Sequence, residues 1–319
     1  MASYLLRRLI LAAASLLGIS VVLFGVLSAA PGDVFSELLQ NPAIPPEVVE
    51  NMRRRLGLED PIHIRYVRWL LAMLQGEWGY SFVSRVEVDT LIWQRLPATL
   101  MVVGTSQVLA LIIALVVGTL AARHPYSLFD QIASTLALIG FSLPTFFTGL
   151  ILILVFSIHL EWLPFIYKAD LGLTGWEWFV AQAKQSIMPI SVMALYQAAS
   201  WTRYIRSAVL DVIRLDYVTT ARAKGISERA VIIKHVVRNA LIPVVTLVAL
   251  EVPAVFGGAI ITEQIFRVPG IGSLLINAIF ANDTPVVMGV TFVFSAMVIL
   301  FNLAADILYG WLDPRISYG

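Results

Sequence analysis

Apolar positions along the chain gather into six long runs almost free of charge: 9–30, 96–122, 131–160, 185–202, 239–262 and 285–305. About 20 apolar residues wound as an α-helix cross a hydrocarbon core, so the pattern predicts an all-α protein of about six membrane spans. The fourth run is the weakest, being interrupted by Pro189, Gln197 and Ser200. Apolar side chains continue past Trp201 through Ile205 and Val209, which extends that helix beyond the run. The first run has features of a secretory signal, with Arg7-Arg8 ahead of it and Ser28-Ala29-Ala30 at its end. A signal's apolar region usually has about 7–15 residues and this one is longer, so it is expected to be retained as the first span. In the third run, Ser142, Pro144, Thr145 and Thr148 predict a kink whose freed backbone groups are bonded by hydroxyls. Ser142 and Thr145 are accordingly candidates to line a path.

Composition agrees with the pattern. Of the 319 residues 59% are hydrophobic and 13% charged, and the mean hydropathy is +0.83. A soluble domain carries about 25% charged residues, so too little polar surface is present to face water all round. The net charge of +1 lacks the basic excess that a nucleic-acid partner requires. With no cysteine, disulfides and thiolate metal sites are excluded. His63, His124, His159 and His235 are scattered without the spacing of a metal site.

Lys and Arg in the short loops set the expected orientation. Arg7 and Arg8 precede the first run, and Arg123 lies between the second and third. Between the fourth and fifth, Arg203, Arg206, Arg214, Arg222, Lys224, Arg229, Lys234 and Arg238 face only Asp211, Asp216 and Glu228. The other side has Lys168 and Lys184 against Glu161, Asp170 and Glu177, then Arg267 against Glu263 and Asp283. Both termini are therefore expected in the cytoplasm. The segment 31–95 must then lie outside; loops beyond about 60 residues escape the rule, and its acids outnumber its bases. Within it, Pro45-Pro46 predicts a short helix through Val48, Val49 and Met52, and Asp60-Pro61 a second carrying Ile64, Val67, Leu71 and Leu74 at helical spacing. Gly76 and Gly79 mark turns around Trp78. Such a segment suits an amphipathic cover at the membrane surface, a docking surface for an extracytoplasmic partner, or both.

Catalytic signatures are missing. No Gly-x₄-Gly-Lys-Ser/Thr loop is present to cradle phosphates, and no His-Glu-x-x-His. Gly140-Phe141-Ser142-Leu143-Pro144 begins like a nucleophile elbow but has Pro144 where the second glycine belongs. The informative segment lies instead between the fourth and fifth runs. From Val218 to Lys224 a helix-favouring stretch meets Gly225, the residue expected where a chain leaves a helix through φ > 0. Ser227 stands in a position to cap the next helix, and Val231, Ile232, His235 and Val236 recur at helical spacing. A basic helix–turn–helix of this length, about 203–239, is several times longer than the 2–8 residues that join neighbouring helices. Something is expected to grip it.

The stretch Asp216-Tyr217-Val218-Thr219-Thr220-Ala221-Arg222-Ala223-Lys224-Gly225 resembles the coupling ("EAA") loop of bacterial ABC importer permeases, in the form found in the dipeptide/oligopeptide/nickel branch. The resemblance runs along nearly the whole chain: Leu6-Arg7-Arg8-Leu9, Pro31-Gly32-Asp33, Leu56-Gly57-Leu58, Arg95-Leu96-Pro97-Ala98-Thr99-Leu100, Arg238-Asn239-Ala240-Leu241-Ile242-Pro243, Pro269-Gly270-Ile271-Gly272 and Asp313-Pro314-Arg315. It departs from the general motif at Thr219, where glutamate is usual, and in the late arrival of Pro243; both departures match the peptide branch. The resemblance implies a multi-pass inner-membrane subunit that catalyses nothing itself. Its partners would be a related second permease in a heterodimer, two cytoplasmic ATP-binding subunits that hold the ATP and magnesium, and an extracytoplasmic solute-binding protein. By the same resemblance Thr220, Ala221, Arg222, Ala223, Lys224, Gly225 and Ser227 would dock in a cleft of the ATPase. The expected divisions are 1–30 (amino terminus and first span), 31–95 (external) and 96–319 (permease core). Di- or oligopeptides are the default cargo; nickel chelates, glutathione, opines and oligosaccharides are carried by similar permeases. An ion-coupled transporter is the rival class, but no internal repeat is apparent and Glu251 is its main support.

Glu251 lies near the middle of the fifth run, where a charge costs roughly 2.5–3.5 kcal/mol on insertion scales. It either holds a cationic part of the solute or is hydrogen-bonded or protonated in a contact between permeases. Asp306, one turn from Asn302, is expected to belong to a polar cluster at a helix end, and Trp162, Phe165, Trp176, Trp178 and Phe179 to an interfacial aromatic belt.

Overall fold

A computed structural model describes residues 2–29, 45–55, 57 and 59–312. The helices are α1 (Ala2–Ala29), α2 (Pro46–Arg55), α3 (Ile62–Leu74), α4 (Val88–Arg123), α5 (Leu128–Ser142), α6 (Thr145–Leu152, continued by a π-wound Ile153–His159), α7 (Gly175–Ile213), α8 (Asp216–Ala223), a single turn α9 (Glu228–Ala230) running through a π-wound Val231–Val237 into α10 (Arg238–Phe266), α11 (Ile271–Phe280) and α12 (Thr284–Leu312). Among the described residues the only strand-like pairing is a bridge between Tyr80 and Glu87.

Among the described residues three helices are long and apolar enough to cross a membrane, those at Leu6–Ala29, Val88–Arg123 and Thr284–Ile307, and the number rises to 5 if two bent pairs each count as one span. Three of the six expected runs, 9–30, 96–122 and 285–305, thus fall on single helices of spanning length. Two of the other runs depart from a single apolar rod. The run 131–160 is not one rod: α5 and α6 meet at 104°. Leu143, preceding a proline, is held out of the helical region at φ −82°, ψ 129°, and Pro144 starts α6 without an N–H to offer α5. The kink expected there is a break; the hydroxyls of Ser142 and Thr148 bond the carbonyls one turn back, of Leu138 (2.8 Å) and Pro144 (3.4 Å), and not the Gly140 carbonyl that Pro144 deprives of an N–H. The run 185–202 sits within α7, which at 39 residues and about 1.5 Å each extends about 58 Å. It buries Gln185, Ser186, Gln197 and Thr202, so its apolar score is low although it is an interior helix.

α7 lies along α4. The contact face of α4 is made of small residues, Ala110, Ala114, Gly118, Ala121 and Ala122, all buried. A Cβ on Gly118 would come within 3.0 Å of the Thr202 carbonyl oxygen and of Ile205 Cγ2, so the two backbones touch there. Because a backbone oxygen cannot swing aside, Gly118→Leu is expected to destabilise the protein by about 1–3 kcal/mol or more, read as a fall in the thermal midpoint of the purified protein.

Apolar clusters occupy both ends of α4. Near its start Val88 and Ile92 pack with Ile271, Leu275, Val286 and Val290. Near its end Ala110, Ala114 and Ala122 pack with Trp201, Ile205, Val209 and residues of α8 and α10. At the first end, α3 follows the expected register. Tyr66 and Trp69 turn onto Phe24 of α1, and the Ser20 and Tyr66 hydroxyls meet at 2.8 Å. Ile64, Val67, Leu71 and Leu74 face outward. Gly76 and Gly79 adopt φ +88° and +82°, the turns expected around Trp78. Trp162, Phe165, Trp176, Trp178 and Phe179 are all exposed, as a belt requires. Asp306 pairs with Arg8 at 2.8 Å, joining α12 to α1.

Candidate functional site

Two features carry the candidate residues: an arm made of α8 and the turn after it, and a cavity at the α5–α6 break.

The arm begins where Leu215 takes an extended conformation (φ −74°, ψ 148°) and Asp216 opens α8, an acid at the positive end of the helix dipole. It ends in a Schellman closure. The Gly225 N–H bonds the Arg222 carbonyl at 2.9 Å, and the Ile226 N–H reaches the Ala221 carbonyl at 3.4 Å. This closure needs Gly225 at φ +77°, in the left-handed region, while space around it is open. The residue is thus glycine for conformation, as its place at the helix end predicts, and not for close packing. Ser227 does stand at the N-cap position, but its side chain makes no capping bond; the turn is held instead by its carbonyl accepting the Val231 N–H at 3.0 Å. A second brace has no signature in the sequence. The Arg222 guanidinium grips Glu228 with both arms, Nε to Oε2 at 3.1 Å and Nη2 to Oε1 at 2.9 Å. That pairing holds the Glu228 carboxyl below its ordinary range.

The arm has an inner and an outer side. Val218, Ala221, Val231, Ile232 and Val236 are buried against Trp201, Ile205 and Val209 of α7. Of the seven arm candidates, Ala221 therefore faces the protein's own core, while Thr220, Arg222, Ala223, Lys224, Gly225 and Ser227 are on the exposed side with Tyr217 and Ile226. Small size at Ala221 lets α8 lie close to its body.

The cavity, of about 600 Å³, is bordered by Phe141, Pro144, Thr145, Tyr196, Gln197 and Glu251 among others. Of the three pathway candidates, Glu251 and Thr145 line it; Ser142 is not among the lining residues and spends its hydroxyl on Leu138. Glu251 is bonded within its own chain: Gln197 Nε2 and Trp201 Nε1 both donate to Oε2, at 2.6 and 2.5 Å. Trp201 is fully buried and belongs to the cluster that seats the arm, so one ring connects that seat to the acid that lines the cavity.

Three further polar devices hold this machinery in shape. Asp130, at the start of α5, is buried and receives Arg206 of α7 in a two-point ion pair, Nε to Oδ1 at 2.5 Å and Nη2 to Oδ2 at 2.7 Å. The Tyr126 N–H also bonds it, at 2.8 Å. Arg206 reads in the sequence as one of the basic residues of an exposed loop; in the fold it is a link between helices. At the other end Glu263, 1% exposed, reaches from α10 to the start of α11, accepting the Ser273 N–H at 2.9 Å, the Gly272 N–H and the Thr99 hydroxyl at 2.6 Å. Thr99 in turn accepts the Ile271 N–H at 2.9 Å. Asp283 likewise is buried and clamps Ser81 (2.5 Å) and the Phe82 N–H (3.0 Å). By position in the sequence both acids look like loop charges on the outer side, and both are structural. Among the described residues no group of acids or histidines could hold a metal ion.

A helical body with membrane-length apolar helices, a basic arm and a cavity bordered by α5, α6, α7 and α10 is an architecture compatible with a membrane transport subunit. Comparison with known proteins gives the same class. The family described as binding-protein-dependent transport system inner membrane component matches residues 114–318, and the corresponding amino-terminal family matches residues 1–103. The chain belongs to this family and is a multi-pass, non-catalytic inner-membrane permease component. It is 41% identical to the oligopeptide transport system permease protein AppB of Bacillus subtilis over 100% of both chains. It is 36% identical to the glutathione transport system permease protein GsiC of Salmonella typhimurium, again over 100% of both, and 36% identical to a peptide permease protein of Brucella suis over 99% of both. In fold it is similar to a solved amino acid ABC transporter chain, with a TM-score of 0.52 and 13% identity over 73% of this chain and 99% of that one.

Proposed function

We propose that this permease carries di- or oligopeptides across the inner membrane as half of an ABC importer, paired with a second, related permease. It would be driven by two cytoplasmic ATP-binding subunits and fed by an extracytoplasmic solute-binding protein. The relatives named for oligopeptide and glutathione transport support a peptide-like cargo, since glutathione is itself a tripeptide. Both termini and the arm lie in the cytoplasm, in keeping with the basic residues there.

The observation that carries the proposal is the build of the arm. A Schellman closure and the Arg222–Glu228 brace make it stiff, Val218 and Ala221 seat it on α7, and the exposed face of Thr220, Arg222, Ala223, Lys224 and Gly225 is left for a partner. A stiff piece gripped by an ATPase passes the closure of that ATPase to α7 and α10, and so to the cavity between them.

Gly225 tests the proposal. Valine is strained at φ +77°, whereas asparagine tolerates it. In the reconstituted transporter, Gly225→Val is expected to lose binding-protein-stimulated ATP hydrolysis by tenfold or more while still inserting in the membrane, and Gly225→Asn to keep most of it. Normal stimulation in Gly225→Val, or failure to cross-link Lys224 to an ATP-binding subunit in cells, would overturn the assignment.

A further inference from the structure

We infer that Glu251 is a docking point for a primary ammonium group of the solute. This deepens, and rests on, the proposal that the cavity at the α5–α6 break is part of the solute's path.

The geometry is asymmetric. Both protein donors, Gln197 Nε2 and Trp201 Nε1, meet one carboxyl oxygen, Oε2. No hydrogen bond or ion pair reaches Oε1 among the described residues, although Glu251 borders the cavity. The donors are themselves fixed: Trp201 is fully buried and Gln197 nearly so. With Oε2 pinned by two fixed donors, Oε1 is the carboxylate oxygen left to bond an occupant of the cavity that Glu251 lines. Among the described residues no arginine or lysine borders that space, which leaves the counter-charge to the occupant. A primary ammonium supplies it, together with three N–H donors that suit an oxygen lacking one.

The rest of the wall fits an occupant of which only one end is charged. Phe141 and Tyr196 stack with centroids 5.6 Å apart and 21° between planes, and both border the cavity with Met193 and Val255. Aromatic faces attract a cation weakly and accept apolar groups of many shapes. Cavities of about 300–1,000 Å³ hold small solutes, and this one is about 600 Å³. The site therefore reads a free amino terminus and ignores the side chains beyond it.

The test uses the assembled transporter and two probes, trialanine and N-acetyl-trialanine. In proteoliposomes, Glu251→Gln is expected to lower trialanine uptake about tenfold relative to wild type. Any uptake of the acetylated probe should change less than twofold. The same binding protein delivers each probe to both variants, so its own preference cancels in the ratio. A second measurement does not depend on delivery. Labelling of Glu251 by a hydrophobic carbodiimide, read by mass spectrometry, should be slowed at least fivefold by millimolar trialanine and unaffected by the acetylated probe. Equal protection by both probes, no protection by either, or a Glu251 that never labels would each overturn the inference. If the wild-type complex imports neither probe but trialanine alone protects Glu251, the ammonium site stands and the peptide-import proposal falls.

Discussion

Glu263→Ala is expected to leave almost no folded permease in the membrane. The substitution strips an acceptor from the Thr99 hydroxyl and from the Gly272 and Ser273 amides, all at a site from which water is excluded. Each buried donor left unbonded costs about 1–3 kcal/mol, so the sum approaches the whole stability of an ordinary domain, about 5–15 kcal/mol. The same site explains why the chain runs Pro269-Gly270-Ile271-Gly272 here. A Cβ on Gly270 would overlap the Glu263 carboxylate, and one on Gly272 would lie 2.8 Å from Ile260 Cα. Gly272→Ala should therefore fail nearly as badly as Glu263→Ala. Thr99→Val, which keeps the shape and loses only the hydroxyl that bridges Glu263 and Ile271, should be the mildest of the three. Quantifying protease-resistant chain in membranes checks the order. Full accumulation of Glu263→Ala would show that the buried carboxylate is dispensable.

The second large effect is expected at Arg206. Removing one partner of a buried ion pair costs roughly 3–5 kcal/mol, and somewhat less here because Arg206 keeps 25% of its side chain exposed. Arg206→Ala leaves Asp130 with the Tyr126 amide and a long bond from Ser134. The thermal midpoint should fall by several degrees. Since the pair ties α5, and through it the Pro144 break, to the helix that bears the arm, solute uptake per ATP hydrolysed should fall as well. Asp130→Asn, which keeps an acceptor for Arg206 but not the charge, should lie between. An unchanged uptake-to-hydrolysis ratio in Arg206→Ala would show the pair to be structural only.

The range of each interaction decides whether the sequence discloses it. The arm is legible because everything that shapes it is local: Gly225 acts on its own φ, and Val218, Ala221, Val231 and Val236 announce a buried side by spacing alone. The run of α4 and the inward extension of α7 through Ile205 and Val209 are legible for the same reason. Glu263 is not. It stands beside Arg267 and reads as a loop charge, and its partner Thr99 lies 164 positions away. Asp130 and Arg206 are 76 positions apart and sit in segments that look, separately, like a turn and a basic loop. The α5–α6 junction is half legible. Pro144 signals an interruption, but the size of the bend depends on what the two halves pack against, which no local pattern records. Glu251 is visible as an anomaly, whereas its bonds to Gln197 and Trp201 require the fold.

The placement of Trp201 has an evolutionary corollary. One indole is wedged among the valines that seat the arm and is simultaneously tethered to the acid of the cavity. Refitting the arm's seat to a different motor subunit would nudge the same ring that aims Glu251. If the arm engages the motor and Glu251 the cargo, as proposed, motor compatibility and cargo preference should shift together when Trp201 is moved.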